Sequence, residues 1–429
     1  MKIYSYSKLD TAGQESLLRR PAIDLDETIK IVEPILRQIK QGGILKAVEY
    51  ARKFDGFTGD ELRVQPEEFE IAEQRLDEKV KDAIRKAAGN IHKFHQKQVP
   101  SSYEIETEKG VVCSREYRAI ENVGLYIPGG NAVLPSTLLM LGIPAKIAGS
   151  KRLVVTTPAR DNKVSGALLY AAKYLGIDEI YKLGGAQAIG LLAYGDKAVP
   201  RVNKIFGPGN QFVTAAKLLV SIDILGCPID MPAGPSEVLV IADEHADPAF
   251  IAADLLSQAE HGPDSQVVLL STSQEIIRES LEQVENQLML LPRKEFAIKA
   301  LESSFALLVN NTEEAFSFSN RYAPEHLILH LENAELYKEK VINAGSVFLG
   351  KYSPESAGDY ASGTNHSLPT YGYAKSFGGV SVESFMKTVT FQKLSKEGLR
   401  NIAPAVETLA EVESLTAHKN AISIRLNEQ

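Results

Sequence analysis

The chain has 429 residues, 44% of them hydrophobic and 24% charged, with a net charge of −8. That length exceeds one ordinary core, so two large units with smaller appendages are expected, and the composition excludes a disordered chain. The acidic balance, with no Lys/Arg cluster interleaved with aromatics, argues against nucleic acid as the main partner, and no apolar run is long enough to span a bilayer.

The N-terminus, Met1-Lys2-Ile3-Tyr4-Ser5-Tyr6, lacks the apolar core of a signal peptide, so a cytoplasmic protein is expected. About the first hundred residues read as helices. One run covers residues 24–40 and stops at Gly42-Gly43, a second ends near Gly56, and a third starts at Pro66 and continues to about Gln98. Residues 103–107 and 111–113, joined across Lys109-Gly110, read as a hairpin.

From Val123 the pattern changes to apolar strands followed by Gly-rich turns and helices. Strands are expected over 123–127, 153–155, 179–181 and 204–206, and a second series over 238–241, 267–270, 306–309 and 347–349. Strand and helix in alternation mean a parallel sheet, so the fold class is α/β: two tandem Rossmann-like parallel-sheet units, a helical N-terminal layer and a helical C-terminal tail from about Lys393. The expected divisions are residues 1–120 for the helical region with its hairpin, 121–235 and 236–380 for the two units, and 381–429 for the tail.

Ser257-Gln258-Ala259-Glu260-His261-Gly262-Pro263 sets an amide and an imidazole three apart at the end of a helical run that Gly262-Pro263 stops. Residues so spaced share a face and can grip one object, a metal ion above all. Such spacing also arises by chance, with the imidazole an ordinary surface group. Of the 8 histidines, His261, His326, His366 and His418 lie in segments dense in Gly, Pro, Asp, Glu and Asn. Each pairs an imidazole with a carboxylate, the combination needed for metal ligation or proton transfer. His92, His95, His245 and His330 read as structural or solvated.

Glycine-rich turns at Pro128-Gly129-Gly130, Gly184-Gly185 and Gly207-Pro208-Gly209-Asn210 let backbone N–H groups approach a phosphate at a helix N-terminus. A dinucleotide is the obvious guest. Yet the Gly207 turn lacks the third glycine of the usual fingerprint and the Gly184 turn has the wrong spacing, so a plain βα corner stays open. Tyr126, Gln187 and Asn210 add an aromatic plane and amides at these turns. Ser236, in Met231-Pro232-Ala233-Gly234-Pro235-Ser236-Glu237, offers a hydroxyl between the two units or simply caps a turn. Cys113 and Cys227 have no neighbouring His or Lys in sequence and read as buried thiols, not nucleophiles or a zinc site.

Laid end to end, these segments resemble the histidinol dehydrogenase family. The likeness runs from Tyr126-Ile127-Pro128-Gly129-Gly130 through Gly184-Gly185-Ala186-Gln187-Ala188, Phe206-Gly207-Pro208-Gly209-Asn210, Asp230-Met231-Pro232-Ala233-Gly234-Pro235-Ser236-Glu237 and Gln258-Ala259-Glu260-His261-Gly262-Pro263-Asp264 to Ala323-Pro324-Glu325-His326 and the tail. It implies a zinc-dependent, four-electron oxidation of L-histidinol to L-histidine through histidinaldehyde, using two NAD molecules in turn. Carried over residue by residue, it implies one zinc ion per subunit on Gln258, His261, Asp359 and His418, and the same four residues near substrate with Ser236, His326, His366 and Glu413. It implies proton transfer by Glu325 and His326, and NAD contacts at Tyr126, Gln187 and Asn210, so the first unit becomes the NAD side and the second the zinc and substrate side. It also implies a homodimer whose tail completes the neighbour's site. His326, neutral near an unperturbed pKa of about 6.5, is the expected base for the alcohol, and Glu325 the expected activator of water on the aldehyde. Two other readings differ in kind: an aldehyde dehydrogenase-like enzyme with Cys113 or Cys227 as nucleophile, and a non-catalytic metal or nucleotide sensor.

Overall fold

The computed structural model describes residues 1–21, 25–129, 134–232 and 234–427. Asp24, in the first expected helix, and Gly130 and Ala233 of the quoted motifs lie outside them. Two parallel sheets form the body. The first runs in the order Glu179–Lys182, Arg152–Thr157, Asn122–Tyr126, Lys204–Phe206. Its strands are apolar without alternation because helices cover both faces: Val123, Leu125, Val154, Val155, Ile180 and Phe206 are all fully buried.

The second sheet has six strands in the order Lys2–Ser5, Phe305–Leu308, Gln266–Ser271, Glu237–Ala242, His326–His330, Ser346–Leu349. Three of its inner strands, Gln266–Ser271, Glu237–Ala242 and His326–His330, are buried along their whole length. Two of its members differ from the sequence expectation. Lys2–Ser5 is an edge strand of 4 residues in a stretch read as helical, too short to show a period. His326–His330 lies between two parallel neighbours, so the segment carrying Glu325 and His326 enters the middle of a sheet instead of an open loop.

The expected first helix breaks where Gly43 takes φ +52°, and the Asp196 carboxylate accepts the Ile44 N–H there at 2.6 Å. The expected third run is two helices, Pro66–Arg75 and Glu78–His95, because Asp77 caps the second by accepting the Lys79 N–H. The hairpin forms from Tyr103–Glu108 and Val111–Ala119, and it gains a third antiparallel strand, Met386–Leu394. That strand lies where the tail was expected to be helical. Its run Thr388-Val389-Thr390-Phe391 favours the pleated state through β-branched and aromatic side chains. Helices Lys396–Val412 and Thr416–Asn427 follow. They leave Leu409 at 61% and Val412 at 77% exposure. Among the described residues no helix is long and apolar enough to cross a membrane.

Candidate active site

A cleft of about 530 Å³ opens between the two sheets. From the first sheet come residues that follow its strands: Pro128 after Asn122–Tyr126, and Pro208, Gly209 and Asn210 after Lys204–Phe206. From the second come residues that precede its strands: Ser236 before Glu237–Ala242, Ser265 before Gln266–Ser271, Glu325 and His326 at the head of His326–His330. The carboxyl edge of one sheet therefore faces the amino edge of the other, whereas an open α/β sheet ordinarily binds ligands at its carboxyl edge alone. Polarity follows. Helices Pro135–Ala148 and Gln211–Ile222 begin at the cleft and favour anions, while Pro248–Ala259 ends there and favours a cation.

Gln258 sits in the last turn of Pro248–Ala259. The helix ends before His261, not after it, but the His261 N–H donates to the Gln258 carbonyl at 3.2 Å and keeps the spiral going for one more turn. Both side chains consequently face the same point. Asp359, on the short helix Glu355–Tyr360, meets them there, its Oδ2 4.0 Å from His261 Nε2. Ligand atoms of His261, Glu355 and Asp359 all lie within 4.8 Å of one another. Imidazole, carboxylate and amide donors at the negative end of a helix suit zinc, so the residues fit the metal the family resemblance implies.

His326 lies beside this group and is buried. Its Nδ1 is 3.2 Å from the Glu237 carbonyl oxygen, which places a proton on Nδ1. The Gln258 amide nitrogen is also 3.2 Å from that atom, a packing contact once Nδ1 is protonated. Nε2 is buried 3.6 Å from Asp359 Oδ1, beyond hydrogen-bond length, and has no hydrogen-bond partner among the described residues. A buried polar atom left without a partner calls for a functional explanation. The expectation of an unperturbed imidazole is corrected here. Burial disfavours its charge, yet Glu355, Glu325 and Asp359 outweigh burial and raise His326 to about 10.

Glu325, its neighbour, is pushed up to about 8 by burial, against the attraction of His326. Its Oε2 accepts the Glu237 N–H at 2.9 Å, and the Glu237 carboxylate in turn faces the Glu325 N–H at 3.3 Å. Arg20 holds that carboxylate in a bidentate pair at 2.8 Å while its guanidinium stacks 3.4 Å over Tyr322. Asp359 is held below the usual carboxylate range because the close approach and positive charge of His326 overcome its burial. His366 Nδ1 reaches the Asp359 carbonyl at 2.8 Å and its Nε2 the Thr137 hydroxyl at 3.2 Å.

One helical turn before Gln258, Asp254 is 8% exposed and burial pushes its carboxyl up to about 7. A carboxyl raised by folding holds its proton more tightly in the native state. Its contribution is therefore complete below the ordinary pKa and is lost as pH climbs towards 7. Asp254→Asn should accordingly gain on the parent by about 2 kcal/mol between pH 5 and pH 8 in chemical denaturation. A constant difference across that window would show that Asp254 titrates normally.

The structure brings His261, Asp359, Ser236, Glu325, His326, His366 and Asn210 to the cleft, with Gln258 buried behind them against Glu355 and His326. Asn210 also caps helix Gln211–Ile222, accepting the Phe212 and Val213 N–H groups at 3.1 and 3.2 Å. Its turn is fixed from behind: Asp230 accepts the Gly207 N–H and Lys217 donates to the Gly207 carbonyl, both at 2.8 Å. Gly207 has φ +123°, and a Cβ there would meet the Tyr126 carbonyl oxygen at 2.0 Å. Tyr126 and Gln187 are buried beside the cleft and spend polar atoms internally, the Tyr126 hydroxyl accepting from Gly185 N–H and Gln187 donating to Asp55. Glu413 and His418 lie on the exposed tail, outside the lining of this cleft.

Glu355, Glu237 and Arg20 went unnoticed in the sequence. Glu355 carried a signal, since it precedes Asp359 by four residues and shares its helix face. Arg20 and Glu237 are 217 residues apart and carried none. A cysteine nucleophile finds no support. Cys227 is buried with its thiol pushed up to about 12 by burial, and neither cysteine lines the cleft.

A model of the family described as histidinol dehydrogenase matches residues 18–426. The chloroplastic histidinol dehydrogenase of Arabidopsis thaliana is 50% identical over 100% of this chain and 92% of its own. That of Campylobacter jejuni strain RM1221 is 51% identical over 99% of each. The crystal structure of histidinol dehydrogenase from Elizabethkingia anophelis superposes with a TM-score of 0.94 at 50% identity, covering 99% of this chain and 98% of that one. Two parallel sheets with imidazoles and carboxylates gathered between them make an α/β oxidoreductase. The chain belongs to the histidinol dehydrogenase family.

Proposed function

We propose that this member of the family oxidises L-histidinol to L-histidine through histidinaldehyde, the last steps of histidine biosynthesis, in the cytoplasm. The observation that carries the reading is the convergence of His261, Glu355 and Asp359 on one point, with the Gln258 amide against Glu355 and the unpartnered Nε2 of His326 beside them. Gln258, His261, Asp359 and His418 would hold zinc, which would supply a fixed Lewis acid to orient the substrate's imidazole and amine. The nicotinamide cofactor would take the first sheet's side, against Asn210, with Tyr126 and Gln187 buried behind the turns that receive it.

His326 removes the alcohol proton at Nε2 as the hydride leaves. With Asp359 engaged as a metal ligand, its negative charge would no longer hold His326 protonated, and the imidazole would serve as the base. Glu325 then takes a proton from water as the water adds to the aldehyde, giving the hydrate from which a second hydride departs. Ser236, His366 and Glu413 hold the substrate's remaining polar groups. Because Glu413 and His418 stand on an exposed tail with uncovered apolar residues, they are supplied by the tail of a second copy in a homodimer.

The test is the yield of NADH from histidinol with zinc present, expected at two per histidine formed. His261→Asn should lower zinc content and turnover together, since Gln258 and Asp359 do not enclose a metal by themselves. Protein that binds zinc and NAD without reducing NAD would be a sensor, and the reading would fall.

A further inference from the structure

Glu355 is a 1%-exposed carboxylate that the proposed reaction does not use. The hydrogen-bond network orients the Gln258 side chain so that its NH2 faces Glu355, with the amide nitrogen 2.6 Å from one carboxylate oxygen and 3.1 Å from the other. In the opposite orientation the amide oxygen would lie against both Glu355 carboxylate oxygens. Gln258 is itself fully buried, so its amide has no water to turn towards. An amide has one donor end and one acceptor end. With the NH2 held by Glu355, the carbonyl oxygen is the end left for a cation.

We propose that Glu355 is a positioning residue, which locks the Gln258 amide with its oxygen towards the metal. This rests on the reading of Gln258 as a zinc ligand. The geometry explains why a neutral amide serves at a position where a carboxylate would bind a cation more strongly. The cleft already gathers Glu325, Glu355 and Asp359, and another buried charge would add repulsion. A neutral ligand has the drawback that it rotates to present NH2 and repel the metal. Glu355 removes that freedom. Its helix supplies Asp359 four residues later, so one short element delivers both a ligand and the group that orients another.

The role depends on an acceptor, not on a charge. Glu355→Met keeps the length and removes the acceptor, and it should weaken zinc binding by about 10- to 100-fold, measured by competition with a chelator on the full-length protein. Glu355→Gln keeps one acceptor oxygen and should lose less than about tenfold. In a Gln258→Ala background Glu355→Met should cause no further loss, because the group it orients is gone. Equal losses for the Met and Gln variants would overturn the proposal, since they would mean that charge or direct ligation is what matters. Additive losses with Gln258→Ala would overturn it too. Glu355→Leu gives the same comparison if the Met variant does not fold. His261→Asn in the same series separates the two claims: if it leaves zinc affinity intact the metal reading fails, whereas a loss there with no effect from Glu355→Met sinks only the positioning role.

Discussion

Glu325→Gln should slow oxidation of histidinaldehyde by about 100- to 10,000-fold while leaving the first hydride removal from histidinol far less affected. The variant keeps the volume of the side chain and the oxygen that accepts the Glu237 N–H, so the fixed geometry behind the site survives. What it loses is the capacity to take a proton from water. His326→Ala should show the opposite bias, with the alcohol step impaired most, because Nε2 is the imidazole atom left without a protein partner. Supplying histidinol and histidinaldehyde as separate substrates, and following NADH in single turnovers, resolves the two steps. Equal losses in both steps for both variants would end the division of labour, though not the assignment of the site.

The fold was legible where one residue type repeats. Apolar strands such as Val238-Leu239-Val240-Ile241, each bounded by turn residues, announce a parallel sheet because both faces must be covered. Lys2–Ser5 and Met386–Leu394 escaped for a different reason. The first is too short to show a period, and the second is exposed along nearly all its length, so no buried face stamps an alternation on it. The site was legible as residue types near turns, not as a geometry. Nothing local says that the second sheet offers its amino edge to the cleft. That follows from how two complete units pack. Arg20 illustrates the limit: it anchors the Glu237 carboxylate behind Glu325, the proposed activator of water, yet its own surroundings in sequence, Leu18-Arg19-Arg20-Pro21, look like the end of any surface helix.

Mixing two inactive variants should restore about one quarter of all active sites if the tail crosses to a neighbour. His418 stands on helix Thr416–Asn427 and Glu413 just ahead of it, and both are exposed, away from the cleft to which His261 and Asp359 belong. On the proposed reading, zinc held by three protein donors of one chain would keep a position open for a donor from the tail of a second copy. Take a body variant, His326→Ala, and a tail variant, His418→Ala, each nearly inactive alone. Random reassortment makes half of all dimers mixed. In a mixed dimer with crossed tails, one site collects both defects and the other collects neither, so half the sites in half the dimers are intact. Tails that stay on their own chains leave every site with one defect. Mass spectrometry establishes that mixed dimers have formed, and NADH production then decides: no recovery in their presence would mean that His418 folds back onto its own chain.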